Sequence, residues 1–277
     1  MTDDKRSMTK AIVVFDIDGV VRDVGGSYRR AIADTVEHFT NGAVRPSSEE
    51  LDQLKSEGIW NNDWQASQEL VYRYFEGQGQ ARSHLNLDYD RLVAFFQSRY
   101  QGSDPENWTG YICTEPLLLQ PGYLQQLSTA GIVWGFFSGA PRAEAAYLLT
   151  RRLGIQSPVL VGMEDAPGKP DPTGLFAAVF QLEKLHQIDT STPVIYVGDT
   201  VADLWTVEKA RTLGHALSVS LAPQRHWIAV GILPPHVQET SERRDAYRAT
   251  LLAAGADAIF SNVQELTSAK VEELVGD

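Results

Sequence analysis

The 277-residue chain contains one cysteine, Cys113. A single thiol excludes an internal disulfide framework and any zinc site built from cysteines, and it reads as a packing residue. Positive charge is scarce as well: 24 Lys and Arg stand against 36 Asp and Glu, a formal charge of −12. That balance excludes a nucleic-acid backbone as an expected partner. An anionic small molecule stays possible, because a local lysine or metal ion can invert the field at a site. Long apolar runs are missing, so no membrane-spanning segment and no membrane partner are expected. The opening residues Met-Thr-Asp-Asp-Lys-Arg-Ser-Met lack the apolar centre of a signal peptide, and the expected location is cytoplasmic. The six histidines are scattered and form no metal-binding cluster. There is no internal repeat and no low-complexity tract.

What is present is an ordinary globular composition, 43% hydrophobic and 22% charged, in a chain longer than the usual single domain. Residues 11–15, Ala-Ile-Val-Val-Phe, form an apolar, β-branched run that stops at Asp16-Ile17-Asp18-Gly19. A continuous run of this kind is the pattern of a parallel strand buried on both faces. From there the pattern turns helical for about a hundred residues. Ser27 is placed to cap a helix over 27–38, Ser47-Ser48-Glu49-Glu50 opens another as a capping box, and 64–76 and 88–100 carry apolar residues at helical spacing. Such a block after the first strand reads as an inserted helical domain. Strands are then expected at 132–137, 159–162, 193–197, 215–220 and 256–260, with helices over 143–153, 171–185, from about 202, and 263–275. The alternation predicts an α/β fold with a mainly parallel sheet and right-handed crossovers. Residues 221–254 are too long for a simple connection and are expected to be an insertion of unassigned purpose.

Open α/β sheets bind ligands beyond the carboxyl ends of their strands, and here each expected strand delivers a different group to that edge. The first gives Asp16 and Asp18, and the second Ser138 and Gly139. A loop after the third holds Lys169 in Gly-Lys-Pro-Asp-Pro, and the next strand ends in Asp199 and Asp203 within Gly-Asp-Thr-Val-Ala-Asp. Taken singly, each has a plainer reading: a helix cap for Ser138, a solvated loop residue for Lys169, an acidic helix start for Asp199 and Asp203. Two unit charges 4 Å apart at an effective dielectric of about 20 repel by roughly 4 kcal/mol. Four converging carboxylates with one lysine therefore call for a hard divalent cation, and Mg²⁺ suits an all-oxygen site.

In order and identity these motifs resemble the haloacid dehalogenase-like hydrolase superfamily, most of whose members are Mg²⁺-dependent phosphohydrolases. The resemblance covers essentially the whole chain. It implies a Rossmann-like, doubly wound parallel core from residues 1–23 and 119–277, and an inserted all-α cap from residues 24–118, as in subfamily I with a helical C1 cap. The predicted-phosphatase branch is the nearest match. Carried over by motif, Asp16 is the implied nucleophile and a metal ligand. Asp18 is the implied general acid and base, with its backbone carbonyl on the metal. Ser138, Gly139 and Lys169 are the implied phosphate binders, and Asp199 and Asp203 complete the metal site, Asp203 either through a metal-bound water or by orienting Lys169.

The implied reaction is hydrolysis of a small phosphorylated metabolite through an aspartyl-phosphate. Phosphoglucomutase-type transfer uses the same motifs, and a non-catalytic binding member is the third reading. The resemblance also implies a substrate loop at Trp60, Asn61, Asn62 and Asp63, whose alternative reading is a cap for the next helix. Arg22 and Arg142 are candidates to face the cleft, where an arginine suits a second anionic group; the commoner reading is a solvated arginine. The sequence sets no oligomeric state.

Overall fold

The computed structural model describes residues 9–60, 62–104, 106–217 and 225–276. It divides into two compact units: residues 23–116 form one, and the segments on either side of them form the other.

In chain order, β1 (Ala11–Phe15) leads into the helical unit. That unit contains α1 (Tyr28–Phe39), α2 (Ser48–Ser56), α3 (Asp63–Gly77) and α4 (Tyr89–Tyr100). The chain then runs α5 (Pro121–Thr129), β2 (Ile132–Phe137), α6 (Arg142–Ala146), β3 (Leu160–Val161) and α7 (Thr173–His186). It continues through β4 (Val194–Gly198), α8 (Val201–Leu217), β5 (Trp227–Ile232), α9 (Ser241–Ala253), β6 (Ala258–Phe260) and α10 (Ser268–Val275).

Six strands make one sheet in the order β3-β2-β1-β4-β5-β6, with every neighbouring pair parallel. Successive side chains on a strand point to opposite faces, so the sheet builds two cores at once. Val13 and Phe15 join Ile195, Val197, Ile228 and Val230 against α5 and α10. Ile12 and Val14 join Val194, Tyr196 and Ala229 against α7, α8 and α9. Both faces are covered, which is why β1, β4 and β5 are buried along their whole length. The order runs outward from β1 to β2 and β3 on one side and to β4, β5 and β6 on the other. The reversal between β1 and β4 is the point where such sheets open a crevice. Register makes that edge level: Phe15 pairs with Phe136 on one side and Val197 on the other. The next residues of each chain therefore emerge side by side.

The helical unit packs α1 against α3 and α4, with Tyr28 stacked on Tyr100 at 4.0 Å between ring centroids. Ser47 and Glu50 make both contacts of the capping box. Ser27 precedes α1 but does not cap it: its hydroxyl donates to the Glu115 carboxylate, a buried partner from the far end of the unit. Among the described residues no helix is long and apolar enough to cross a membrane.

The expected strand at 215–220 is absent where it can be seen. Residues 215–217 continue α8, and residues 218–224 lie outside the described residues. The missing strand is β5, Trp-Ile-Ala-Val-Gly-Ile, inside the stretch expected to be an insertion. That stretch is an ordinary crossover: β5, a single turn at Pro235–Val237, then α9 leading back to β6. The run 143–153 is helical, but after Ala146 it widens into π-type turns over Tyr147–Arg152.

Candidate active site

Asp16 follows β1, Ser138 follows β2 and Asp199 follows β4, all at the carboxyl edge of the sheet. The turn after β1 needs Gly19, whose φ is +72°. A Cβ there would also lie 2.0 Å from Asp199 Oδ2, so any side chain would occupy the place of that carboxylate. Gly198 is equally constrained, since a Cβ would lie 2.2 Å from Cβ of Asp203. The carboxylates converge because both glycines leave room.

Lys169 holds the centre. Its side chain is buried, and Nζ lies 2.7 Å from Asp16 Oδ1 and 2.6 Å from Asp203 Oδ1. The rings of Phe137 and Tyr196 flank the ammonium at 5.2 and 5.4 Å, within cation–π range. Burial alone pulls the Lys169 pKa down, but Asp16 and Asp203 reverse that and raise it, keeping the group charged. Asp203 is fully buried and accepts four hydrogen bonds. Oδ1 takes Lys169 Nζ and the Tyr196 hydroxyl at 3.1 Å, while Oδ2 takes Thr200 N at 3.0 Å and Thr200 Oγ1 at 2.7 Å. Burial opposes its charge, yet Lys169 and Thr200 outweigh burial and hold its pKa below the ordinary value.

Asp16 and Asp199 are in the opposite condition. Burial, against the pull of Lys169, raises the Asp16 pKa to about 7, with Asp203 and Asp18 adding to the rise. Burial followed by the charges of Asp203 and Asp16 raises Asp199 well above its ordinary value. One lysine does not neutralise three buried carboxylates.

Oxygens of Asp16, Asp199 and Asp203 lie within 4.8 Å of one another, and that all-oxygen, charge-deficient set fits a divalent cation. A carboxylate offers about four lone-pair sites, and Asp203 has all four engaged. Within that set Asp16 and Asp199 have the more open oxygens. The main-chain carbonyl of Asp199 accepts the Tyr247 hydroxyl of α9 at 3.0 Å, so the crossover after β5 braces this position.

Of the remaining site residues, Ser138 is buried, and its Oγ accepts Ala140 N at 3.1 Å, leaving the hydroxyl hydrogen to donate elsewhere. The Asp18 carboxylate turns toward Arg22, with Arg22 Nε 2.6 Å from Oδ1. Arg142 does not present a loose guanidinium: Nε and Nη2 bind Asp165, and Nη2 also binds the Leu160 carbonyl at 2.9 Å.

A profile described as haloacid dehalogenase-like hydrolase matches residues 10–211. The chain belongs to the haloacid dehalogenase-like hydrolase family.

It has an α/β core and a helical cap. It is 34% identical over 221 residues to a Phytophthora nicotianae protein named imidazoleglycerol-phosphate dehydratase, which covers 77% of this chain. The chain spans 44% of that protein's length. Its fold is similar to that of a phosphonoacetaldehyde hydrolase like protein from Oleispira antarctica, with TM-score 0.63 and 15% identity over 97% of this chain and 95% of the other. Phosphatase Tt82 from Thermococcus thioreducens gives TM-score 0.58 and 22% identity over 86% and 99%.

Within the cap of this haloacid dehalogenase-like hydrolase, the residues expected to form a substrate loop have local partners. Asn62 caps α3, its Oδ1 accepting Trp64 N at 3.0 Å and Gln65 N at 3.1 Å. Asp63 pairs with Lys55, and the Trp60 ring nitrogen donates to Glu57, which in turn pairs with Arg73. Asn61 lies outside the described residues. Sequence reasoning missed Tyr196, Thr200 and Tyr247. A signal existed for Thr200, because Thr-x-x-Asp at a helix start is a capping pattern. Tyr196 reads as one more apolar strand position, and only its burial requires a partner for the hydroxyl.

Proposed function

We propose that this hydrolase is a Mg²⁺-dependent phosphomonoesterase working through an aspartyl-phosphate on Asp16. The observation that carries the reading is the central lysine. Lys169 joins Asp16 to Asp203 at the sheet edge, with Asp199 beside them and Ser138 on the neighbouring strand end. Asp16 and Asp199 would hold the ion, and Mg²⁺ when bound supplies the positive charge that these carboxylates and a phosphoryl group lack.

The chain's own residues divide the remaining work. A carboxylate oxygen of Asp16 attacks phosphorus, and the bond from phosphorus to the leaving oxygen breaks. Asp18 gives its proton to that oxygen. Water then attacks the phosphorus of the acyl phosphate, Asp18 takes a proton from it, and the bond to Asp16 breaks to release inorganic phosphate. Lys169 offsets charge on the transferring group throughout. Ser138 and the backbone N–H of Gly139 receive phosphoryl oxygens. Asp203 has no capacity left for a ligand, so it fixes Lys169, with Tyr196 and Thr200 fixing Asp203 in turn. The cap is of the subfamily I helical type in this reading, and the substrate is a small phosphorylated metabolite.

The name of the Phytophthora relative extends the substrate panel: phosphate monoesters bearing an imidazole belong beside sugar, nucleotide and short organic-acid phosphates. Phosphate release over that panel with Mg²⁺ and with a chelator tests the reading. Activity should disappear with chelator, return with Mg²⁺, and be absent in Asp16→Asn, a variant of equal volume that retains a cooperative melt. Near-normal turnover in Asp16→Asn would overturn the nucleophile assignment.

A further inference from the structure

Arg22 is the largest side chain in the described structure that is fully buried. A guanidinium out of water is costly unless an anion faces it, and the anion here is Asp18, at 2.6 Å from Arg22 Nε. The pair is lopsided. Arg22 has 0% of its side chain exposed, whereas Asp18 retains 26%. The cation is buried and the carboxylate keeps part of its surface open.

The backbone around the pair is fixed. Val21 N and Arg22 N both donate to the Ile17 carbonyl, Gly19 N donates to the Arg22 carbonyl at 2.9 Å, and Leu118 N donates to the Val21 carbonyl at 2.9 Å. Arg22 also bridges to Leu117. A rigid turn thus carries a rigid guanidinium whose Nε–H grips a single oxygen, Asp18 Oδ1. A carboxylate held by one oxygen is fixed in rotation and presents the other.

We infer that Arg22 is a positioning residue for Asp18: its Nε–H holds Oδ1 in either protonation state, so that Oδ2, which carries the proton when Asp18 acts as the acid, is presented to the leaving group. This rests on the reading of Asp18 as the general acid. Without Arg22 the partly exposed carboxylate is free to rotate into solvent. Transfer to the leaving oxygen then suffers, and the loss grows as that oxygen becomes more basic and more dependent on a proton.

The test compares kcat/KM across substituted aryl phosphates from 4-nitrophenyl to phenyl, because kcat/KM reports steps through leaving-group departure. Wild type, Arg22→Met, Arg22→Lys and Asp18→Asn are measured with saturating Mg²⁺. Arg22→Met should lose about 10²-fold on phenyl phosphate, the scale of one general acid, and much less on 4-nitrophenyl phosphate. Arg22→Lys, which keeps the charge without the Nε–H, should fall between. Equal losses of Arg22→Met on every substrate, or a leaving-group dependence like that of wild type, would overturn the inference. Should Arg22→Met not fold, Arg22→Lys carries the same comparison with the same two outcomes. Asp18→Asn separates the two levels of the argument. If it leaves leaving-group dependence unchanged, the general-acid reading fails; if it steepens the dependence and the Arg22 variants do not, only the inference about Arg22 fails.

Discussion

Replacing Asp203 with Asn keeps the volume and removes the charge at a side chain that is 0% exposed. Four donors converge on its two oxygens: Lys169 Nζ, Tyr196 OH, Thr200 N and Thr200 Oγ1. An amide keeps one acceptor oxygen and turns an NH₂ toward the other pair; the hydroxyl there can rotate to accept, but the Lys169 ammonium or the Thr200 N–H loses its acceptor whichever way the amide flips. Hydrogen bonds to a charged group contribute about 1.5–3 kcal/mol each, and breaking a buried ion pair costs roughly 3–5 kcal/mol. These overlap in Lys169, so the expected loss is about 3–5 kcal/mol, a large share of the ~5–15 kcal/mol that holds a domain together.

Urea unfolding at constant m, without metal, measures it. The sign with pH follows from the two shifts. Asp203 is lowered, so its stabilisation is present above its ordinary value of 3.8 and is lost as pH falls through the folded value. Lys169 is raised, so its contribution is present below 10.5 and is lost as pH rises through the folded value. Burial, with Asp203 adding to it, also raises the Asp16 pKa to about 7, so the gap between wild type and variant should narrow as pH rises toward 7 and be flat from there to 10.5. Mg²⁺ should still stabilise Asp203→Asn by mass action, because the ligands proposed here are Asp16 and Asp199. A loss below about 1 kcal/mol, together with abolished Mg²⁺ stabilisation, would refute this reasoning and make Asp203 a ligand.

Two further outcomes follow from the same geometry. Because the Asp16 pKa is raised to about 7 and metal binding requires the ionised form, apparent Mg²⁺ affinity measured by thermal shift should strengthen as pH rises from below 7 to above it. An affinity independent of pH there would contradict the placement of Asp16. Asn62→Ala should lower stability by about 0.5–2 kcal/mol, the range for a lost N-cap, while the ratio of kcat/KM between any two substrates stays constant. A selective loss on one substrate would instead give Asn62 a part in recognition.

The central strands were legible because a strand buried on both faces is a continuous apolar run, and β1, β2 and β4 each end in a polar group that breaks it. The site was legible for the same reason: Asp16, Ser138 and Asp199 mark where burial stops. β5 is just as apolar. It is harder to read because 215–220 alternates in a strand-like way and supplies a competing period, whereas Pro234 and Pro235 give the true strand the look of the edge of an insertion. Local contacts resisted reading more than topology did. Ser27 stands where a cap belongs but bonds Glu115, 88 positions away, and no local pattern encodes that distance. Arg142 was expected at a cleft on the strength of its position after Ser138. Asp165 and the Leu160 carbonyl, supplied by a later segment, hold its guanidinium.

The placement of β1 has a kinetic consequence. It is the first strand made, yet its partners begin at Ile132 and Val194. Until residue 198 is available, the innermost strand of the sheet lacks one of its ladders. At about 5–20 residues per second of synthesis, the 183 residues between Phe15 and Gly198 take roughly 10–40 s. Through that interval an apolar, β-branched segment waits with unpaired backbone, the condition that favours wrong pairing. The helical unit closes within residues 23–116 and can fold during the wait. The inserted unit therefore also sets a delay, and any change that lengthens it extends the exposure of β1 without touching a native contact.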